Sequence, residues 1–158
     1  MKANREVYRT ALGYLKLAEL AEEMAVEVNS FRFAYNSNLA FSIELFIKSI
    51  MSLSEDRIVF EIGSAQITKK FASSSLRGHG LGSLFKQLPK DRQYELSTLF
   101  FNHQCNVACE SLELILSGIE SSFVDNRYVY EKGGMVSANE SDLLLWTARF
   151  FREVLSVD

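Results

Sequence analysis

Residues 38–53 read NLAFSIELFIKSIMSL, and this stretch decides the fold. Its side chains are apolar at nearly every position, which is typical of a helix that is buried on most sides. Glu44 and Lys48 nevertheless lie in its middle. Because they are four residues apart, they share one face of a helix and can pair there. The stretch therefore predicts a core helix whose polar line faces either solvent or a cleft.

Length and composition limit the class of protein. The chain has 158 residues, 47% of them hydrophobic, which is enough for one domain with a real core over residues 1–158. The net charge of -3 gives no global signal for nucleic-acid binding, so any polyanion contact must come from a local basic patch. The N-terminal residues lack the unbroken apolar core and small-residue cleavage site of a signal peptide, and no apolar run is long enough to span a membrane, so we expect neither. We expect a cytoplasmic protein with no membrane contact.

Helical periodicity runs through most of the chain. Breaks are expected at Asn29–Ser30, where Ser30 suits an N-cap, and at Pro89. The pattern predicts an all-α protein, an up-and-down bundle of four or five main helices. The predicted helices cover residues 4–28, 30–53, 81–88 and 91–117, followed by a last helix that Ser137 and Glu140 would begin with a capping box.

Residues 57–71, RIVFEIGSAQITKKF, differ from the helical remainder. β-Branched and aromatic residues are frequent there, and Gly63–Ser64 suits a turn. One interpretation is a short β-hairpin inserted into the bundle. The other is an irregular loop.

The string RGHG, Arg77 to Gly80, precedes the short predicted helix. Free backbone amides at a helix start, beside Arg77, could hold a phosphate. The competing interpretation is that His79 caps the helix and the glycines only make the turn. GHGLG is not a dinucleotide fingerprint, because no βαβ unit surrounds it.

The string RYVYE, Arg127 to Glu131, is a second polar and aromatic segment. An arginine guanidinium suits phosphate recognition. Tyr128 and Tyr130 could stack on a nucleobase or pack the loop down. The structural alternative is that Arg127 pairs with a carboxylate such as that of Glu44.

Metal and nucleophile chemistry find little support in the sequence. His103, Cys105 and Cys109 are too few for a zinc site, and residues two apart on a helix do not face each other. No serine, threonine or cysteine has an evident base and orienting partner. We therefore expect no metal and no cofactor, with Cys105 and Cys109 acting as small buried side chains.

Three pieces of sequence occur in order: E-x-x-x-K from Glu44 to Lys48, H-x-L-x-x-L-F from His79, and R-Y-x-Y-E from Arg127. Together they resemble the HEPN superfamily of prokaryotic helical domains, over roughly residues 30–131. The resemblance implies a helical bundle, often a homodimer, that is associated with RNA or nucleotide binding. It also implies a place in toxin–antitoxin or antiviral defence systems, where many relatives occur.

The RNase motif of active HEPN members is missing. Those members are metal-independent RNases that carry an Arg-x4-6-His motif. Here Arg77 lies too close to His79, Arg92 lies too far from His103, and no histidine follows Arg127. The resemblance therefore carries the fold over better than the chemistry, and favours a protein that is not an enzyme.

These observations favour a non-catalytic HEPN-like module that binds RNA, a nucleotide or a partner protein. One alternative is a divergent RNase that uses His79 and Arg127. Another is a helical adaptor or dimerisation protein with no ligand. The binding and RNase hypotheses both predict one polar cluster, drawn from the residues Glu44, Lys48, Arg77, His79, Arg127, Tyr128, Tyr130 and Glu131.

Overall fold

A computed structural model describes residues 1–128, 131 and 138–157. Within this part of the chain, none of the helices combines the length and the apolar character that a membrane crossing requires. The helices are α1 (Arg5–Glu27), α2 (Asn29–Ile50), α3 (Leu81–Gln87), α4 (Lys90–Phe101), α5 (Leu112–Gly118), α6 (Ser122–Arg127) and α7 (Ala138–Val154), and the strands are β1 (Ser52–Ile62) and β2 (Ala65–Ser74).

Helix α2 is the centre of the fold. It packs against α1, α3, α6 and α7. Its apolar side chains are fully buried on several sides, among them Leu39, Ile43 and Phe46. The buried Ser42 hydroxyl donates to the carbonyl of Ala11 at 2.9 Å, so even the small polar residues of α2 tie it to α1. The expectation of a core helix over this stretch agrees with its position.

Helix α7 closes the core on the side of α1. Its Phe151 lies 6.4 Å from Phe46, between ring centroids, and both rings are fully buried. Glu19 of α1 accepts hydrogen bonds from Arg149 at 3.1 Å and from Arg152 at 3.2 Å. Helix α7 is thus joined to α2 by an apolar contact inside and to α1 by ion pairs at the rim.

The expectation of an all-α bundle of four or five helices is wrong, because β1 and β2 pair as an antiparallel hairpin. The hairpin is also longer than the insertion considered at residues 57–71, since its pairing runs from Ser52↔Ser74 outward. The turn falls at Gly63, where φ is 60°, as the sequence suggests. At the base, the hydroxyls of Ser52 and Ser74 both donate to the carbonyl of Lys48, at 2.7 and 3.1 Å.

A bulge at Val59 sets which side chains share a face of the hairpin. The register shifts between Ile58 and Phe60, so that Phe60 pairs with Ile67. Paired residues point to the same side of a sheet. The pairs Phe60–Ile67 and Ile62–Ala65 therefore lie on one apolar face of the hairpin. That face is open: Phe60 is 52% exposed and Ile67 58%.

The predicted helix over residues 91–117 is interrupted. Helix α4 ends at Phe101, and α5 begins only at Leu112. Between them the side-chain oxygen of Asn106 accepts from the amide of Glu110 at 3.1 Å, and Cys109 has a positive φ of 53°. Side chains that bind nearby backbone amides compete with helix formation, and this explains the break.

Two smaller expectations concern helix starts. The break between α1 and α2 falls at Val28, which has extended backbone, and not at Asn29–Ser30, so Ser30 is not the N-cap. The proposed capping box involves Ser137, which lies outside the described residues.

Removing the outer hairpin should leave the stability of the helical body almost unchanged. Residues 56–70 would be replaced by Asn-Gly, which closes a two-residue β-turn. Because nearly all of these residues are exposed, we expect the melting temperature, followed by circular dichroism, to move by less than about 2 °C.

A fall of about 10 °C in this variant would show instead that the hairpin is part of the cooperative core. The control is Phe46→Ala, which removes a fully buried ring and should cost about 3 to 5 kcal/mol.

Candidate functional site

The carboxylate of Glu44 is buried at the centre of α2, where the residue is only 1% exposed. Its Oε1 accepts a hydrogen bond from Lys48 Nζ at 2.7 Å. A buried carboxylate without partners would be costly, so this ion pair is a condition for placing Glu44 there. Glu44 and Lys48 therefore form one unit on one face of α2.

Lys48 connects that unit to the loop before α3. Its Nζ also donates to the carbonyl oxygen of Gly78 at 2.9 Å. Gly78 has a φ of 92°, a left-handed conformation that favours glycine. The loop is thus held against α2 by a lysine whose side chain is 18% exposed.

His79 is the second polar partner of the Glu44 carboxylate. Its Nδ1 lies 3.1 Å from both carboxylate oxygens. With the proton on Nδ1, the imidazole donates to Glu44 and its Nε2 is left for other contacts. The side chain is 60% exposed, so a buried carboxylate orients a largely exposed ring.

A row of stacked rings lies beside His79. Phe41 of α2 and Phe123 of α6 stack with centroids 5.0 Å apart and an interplanar angle of 24°. Tyr14 of α1 meets Phe41 edge-on at 4.7 Å, and His79 lies 5.9 Å from Phe123. Three helices and one loop therefore meet at these rings.

Arg127 approaches the same row from the end of α6. Its guanidinium carbon lies 5.8 Å from the centroid of Phe123 and 5.6 Å from that of Tyr128, within the range of cation–π attraction. The residue is exposed. We call Glu44, Lys48, His79, Phe123 and Arg127 the Glu44 cluster.

Arg127 does not pair with Glu44. The partners of Glu44 are Lys48 and His79, and within the described residues Arg127 has no ion pair with a carboxylate. The structural alternative, in which Arg127 pairs with Glu44, is therefore wrong. The guanidinium lies over the rings of Phe123 and Tyr128, and its N–H donors form no ion pair with a described carboxylate.

The remaining sequence candidates lie around this cluster or away from it. The backbone of Arg77 forms two hydrogen bonds of 2.9 Å with the Gln87 side chain, and the residue helps to line a pocket of about 400 Å³ at the hairpin base. The exposed Glu131 donates its amide to the carbonyl of Tyr128 at 3.0 Å. Tyr130 lies outside the described residues.

The phosphate site that the sequence suggests at the start of α3 is already occupied by a carboxylate of the chain. Glu120 accepts hydrogen bonds from the amides of Gly82 and Ser83, the latter at 3.1 Å. The Ser83 hydroxyl also donates to it. His79 does not cap the helix; Glu120 does.

The same contact explains two glycines of the GHGLG string. A Cβ on Gly80 would collide with the Glu120 carboxylate. A Cβ on Gly82 would lie 3.1 Å from Cα of Ser117, on the backbone of α5. These glycines serve the close approach of α3 to α5 and Glu120, and not a ligand.

His103 and the cysteines form a separate, structural group. His103 Nδ1 accepts from the Cys105 amide at 3.2 Å, and its Nε2 lies 3.3 Å from Glu153. Cys105 is buried as expected, but Cys109 is exposed. In the described part of the chain no group of three or more potential ligands among His, Cys, Asp and Glu is arranged for a metal ion.

Three buried side chains have raised pKa values. Burial raises the pKa of the Cys105 thiol, and the nearby Glu153 carboxylate adds to the effect. Burial likewise raises the pKa of the Tyr8 and Tyr35 hydroxyls. These three groups stay protonated at neutral pH and act as packing residues.

Sequence reasoning missed the aromatic part of the cluster. Phe123 lies four residues before Arg127, and Phe41 three before Glu44, so each shares a helix face with a candidate site residue. That spacing was the available signal. Glu120 carried no such signal, because it reaches α3 across 38 residues of sequence from Gly82.

Comparison with known proteins adds no relative. No family model matches the chain, and neither does a curated protein or a solved structure.

Gly82→Ala should destabilise the protein by at least about 1 kcal/mol, because the added methyl meets the backbone of Ser117 and the bound Glu120 carboxylate. The measurement is urea unfolding followed by tryptophan fluorescence. Gly118→Ala is the matched control, since a Cβ there meets nothing within 4 Å. Equal stabilities of the two variants would contradict the packing described for α3.

Proposed function

We propose that this chain is a HEPN-like, non-catalytic binding module whose Glu44 cluster contacts single-stranded RNA or a free nucleotide. The observation that carries the proposal is Arg127, an exposed guanidinium on two aromatic rings without a carboxylate partner in the described residues. Such a group can bind phosphate through a pair of parallel hydrogen bonds.

His79 supports the same proposal, because its ring lies 5.9 Å from that of Phe123, between ring centroids. Its ring is exposed, and Glu44 fixes its orientation through Nδ1. The Nε2 edge has no hydrogen-bond partner in the part of the chain that the structure describes. Unpaired bases are recognised by stacking on aromatic or guanidinium planes and by hydrogen bonds to their edges. His79, Phe123 and Arg127 offer both kinds of contact within one small surface.

The charge balance agrees with a small ligand footprint. Lys48 is neutralised by Glu44, so Arg127 is the main free cation of the cluster. With one or two phosphates contacted, the affinity should fall only gently with salt, with a logarithmic slope of about -1 to -2. A long polyanion bound by charge alone would give a steeper slope.

A divergent metal-independent RNase is the second candidate, and one observation favours it. A histidine held by a buried carboxylate at one nitrogen and open at the other has the arrangement of a general base with its orienting group. Against it stands the missing Arg-x4-6-His motif. Defence as the biological setting and homodimerisation rest on the HEPN resemblance and remain predictions.

Arg127→Ala should weaken binding at least about tenfold, since charge-assisted hydrogen bonds contribute about 1.5 to 3 kcal/mol. The probes are a fluorescein-labelled, single-stranded RNA decamer of random sequence and a fluorescent nucleoside triphosphate, both followed by anisotropy. The control is Arg92→Ala, which removes an equal charge from α4, where Arg92 pairs with Glu95 at 3.1 Å.

Absence of binding of both probes to the wild type, or an equal loss in the two arginine variants, would overturn the proposal. The same RNA incubated in EDTA and run on a denaturing gel separates the two candidates. We expect intact RNA. Cleavage by the wild type that disappears in His79→Ala would establish the RNase instead.

A further inference from the structure

Helix α1 carries an apolar stripe on the side that faces away from the core. Its inward line, with Leu15 and Ala18 among others, is fully buried. On the outer side Leu17 is 56% exposed, Leu20 84% and Met24 44%. Steps of three and four residues place these side chains in one row along the helix. Such a row of large apolar side chains in water marks an interaction surface.

Two unpaired charges flank the stripe. Lys16 and Glu23 are both exposed, and neither forms an ion pair with another described residue. The neighbouring Glu19 and Glu22 differ, since both are bound by Arg149 of α7, at 3.1 and 3.6 Å. The chain therefore satisfies the inner acidic residues of α1 and leaves one charge of each sign beside the stripe.

The stripe is complementary to itself when two copies of α1 run antiparallel with a two-fold axis at Leu20. At a rise of about 1.5 Å per residue, Leu17 lies about 4.5 Å before Leu20, and Met24 about 6 Å after it. Leu17 then meets the partner's Met24. Lys16, about 6 Å before Leu20, meets the partner's Glu23, about 4.5 Å after it. Because the axis is two-fold, each of these contacts occurs twice in the dimer.

Gly13 extends the exposed surface of α1 by one turn beyond Leu17. A Cβ at Gly13 would meet nothing within 4 Å, so the backbone lies open on the outer surface. Gly13 is about 10.5 Å before the axis at Leu20, and no side chain at this position obstructs the approach of a second helix.

We propose that this stripe, with Leu17, Leu20, Met24, Lys16 and Glu23, is the interface of an antiparallel homodimer. Charge complementarity favours a second copy of this chain as the partner, and it favours the antiparallel orientation of the two helices. A second copy supplies a glutamate for each lysine, whereas a parallel pairing would bring Lys16 against the same residue of the other copy. The HEPN resemblance implies a dimer but names no surface; this surface follows from α1 itself.

The dimer leaves the Glu44 cluster accessible. Tyr14, through which α1 reaches the stacked rings, lies about 120° around the helix from Leu20, at about 100° per residue. Dimerisation and ligand binding are therefore separate properties, and either proposal can fail without the other. The surface is a single helix ridge, and we expect a weak dimer with an affinity in the micromolar range.

Sedimentation velocity of the full chain from about 1 to 500 µM tests the proposal. We expect a concentration-dependent monomer–dimer equilibrium, and a dissociation constant at least about tenfold higher in Leu20→Glu. The control is Leu114→Glu on α5, where another exposed leucine, 58% accessible against 84% for Leu20, lies outside the stripe. It should leave the equilibrium unchanged.

A charge exchange tests the antiparallel register. Lys16→Glu and Glu23→Lys alone each place like charges together and should weaken the dimer about three- to tenfold, whereas the double variant should return to within about twofold of the wild type. A protein that stays monomeric throughout, or equal effects of Leu20→Glu and Leu114→Glu, would overturn the interface. A double variant as weak as the single ones would overturn the register.

Discussion

The carboxylate of Glu44 lies inside the helical body, and its charge has to be satisfied there. Lys48 and His79 satisfy it, at 2.7 and 3.1 Å. Breaking a buried pair of this kind typically costs about 3 to 5 kcal/mol, so the requirement is strict. Since Lys48 also binds the carbonyl of Gly78, the loop before α3 is fixed by the same charge. The position of His79 follows from that constraint.

The helical part of the fold is largely readable from the sequence, because α1, α2 and α7 each have an apolar face that must be buried. The hairpin is less readable. Its inner half, including Glu55 and Asp56, has no alternating pattern, and the bulge at Val59 breaks the alternation where it exists. Pairing between polar strands depends on partners brought from the other side of the turn, which local propensity does not encode.

The Glu44 cluster likewise combines contacts that can be predicted from the local sequence with contacts that cannot. The Glu44–Lys48 pair follows from the four-residue spacing of a helix. The stacking of Phe41 on Phe123 and the capping of α3 by Glu120 do not, because they join elements that are distant in sequence. A helix start with two glycines and a histidine looks open to a phosphate in sequence. Only the fold reveals that an internal carboxylate fills it.

The central claim is that Glu44 orients His79 through Nδ1, and the tautomers of the two histidines test it most directly. In a long-range ¹H–¹⁵N correlation spectrum at neutral pH, we expect a proton on Nδ1 of His79. His103 is the internal reference and should carry its proton on Nε2 alone, because its Nδ1 accepts from the Cys105 amide. A bare Nδ1 on His79 would contradict the account, since it could not donate to the buried carboxylate.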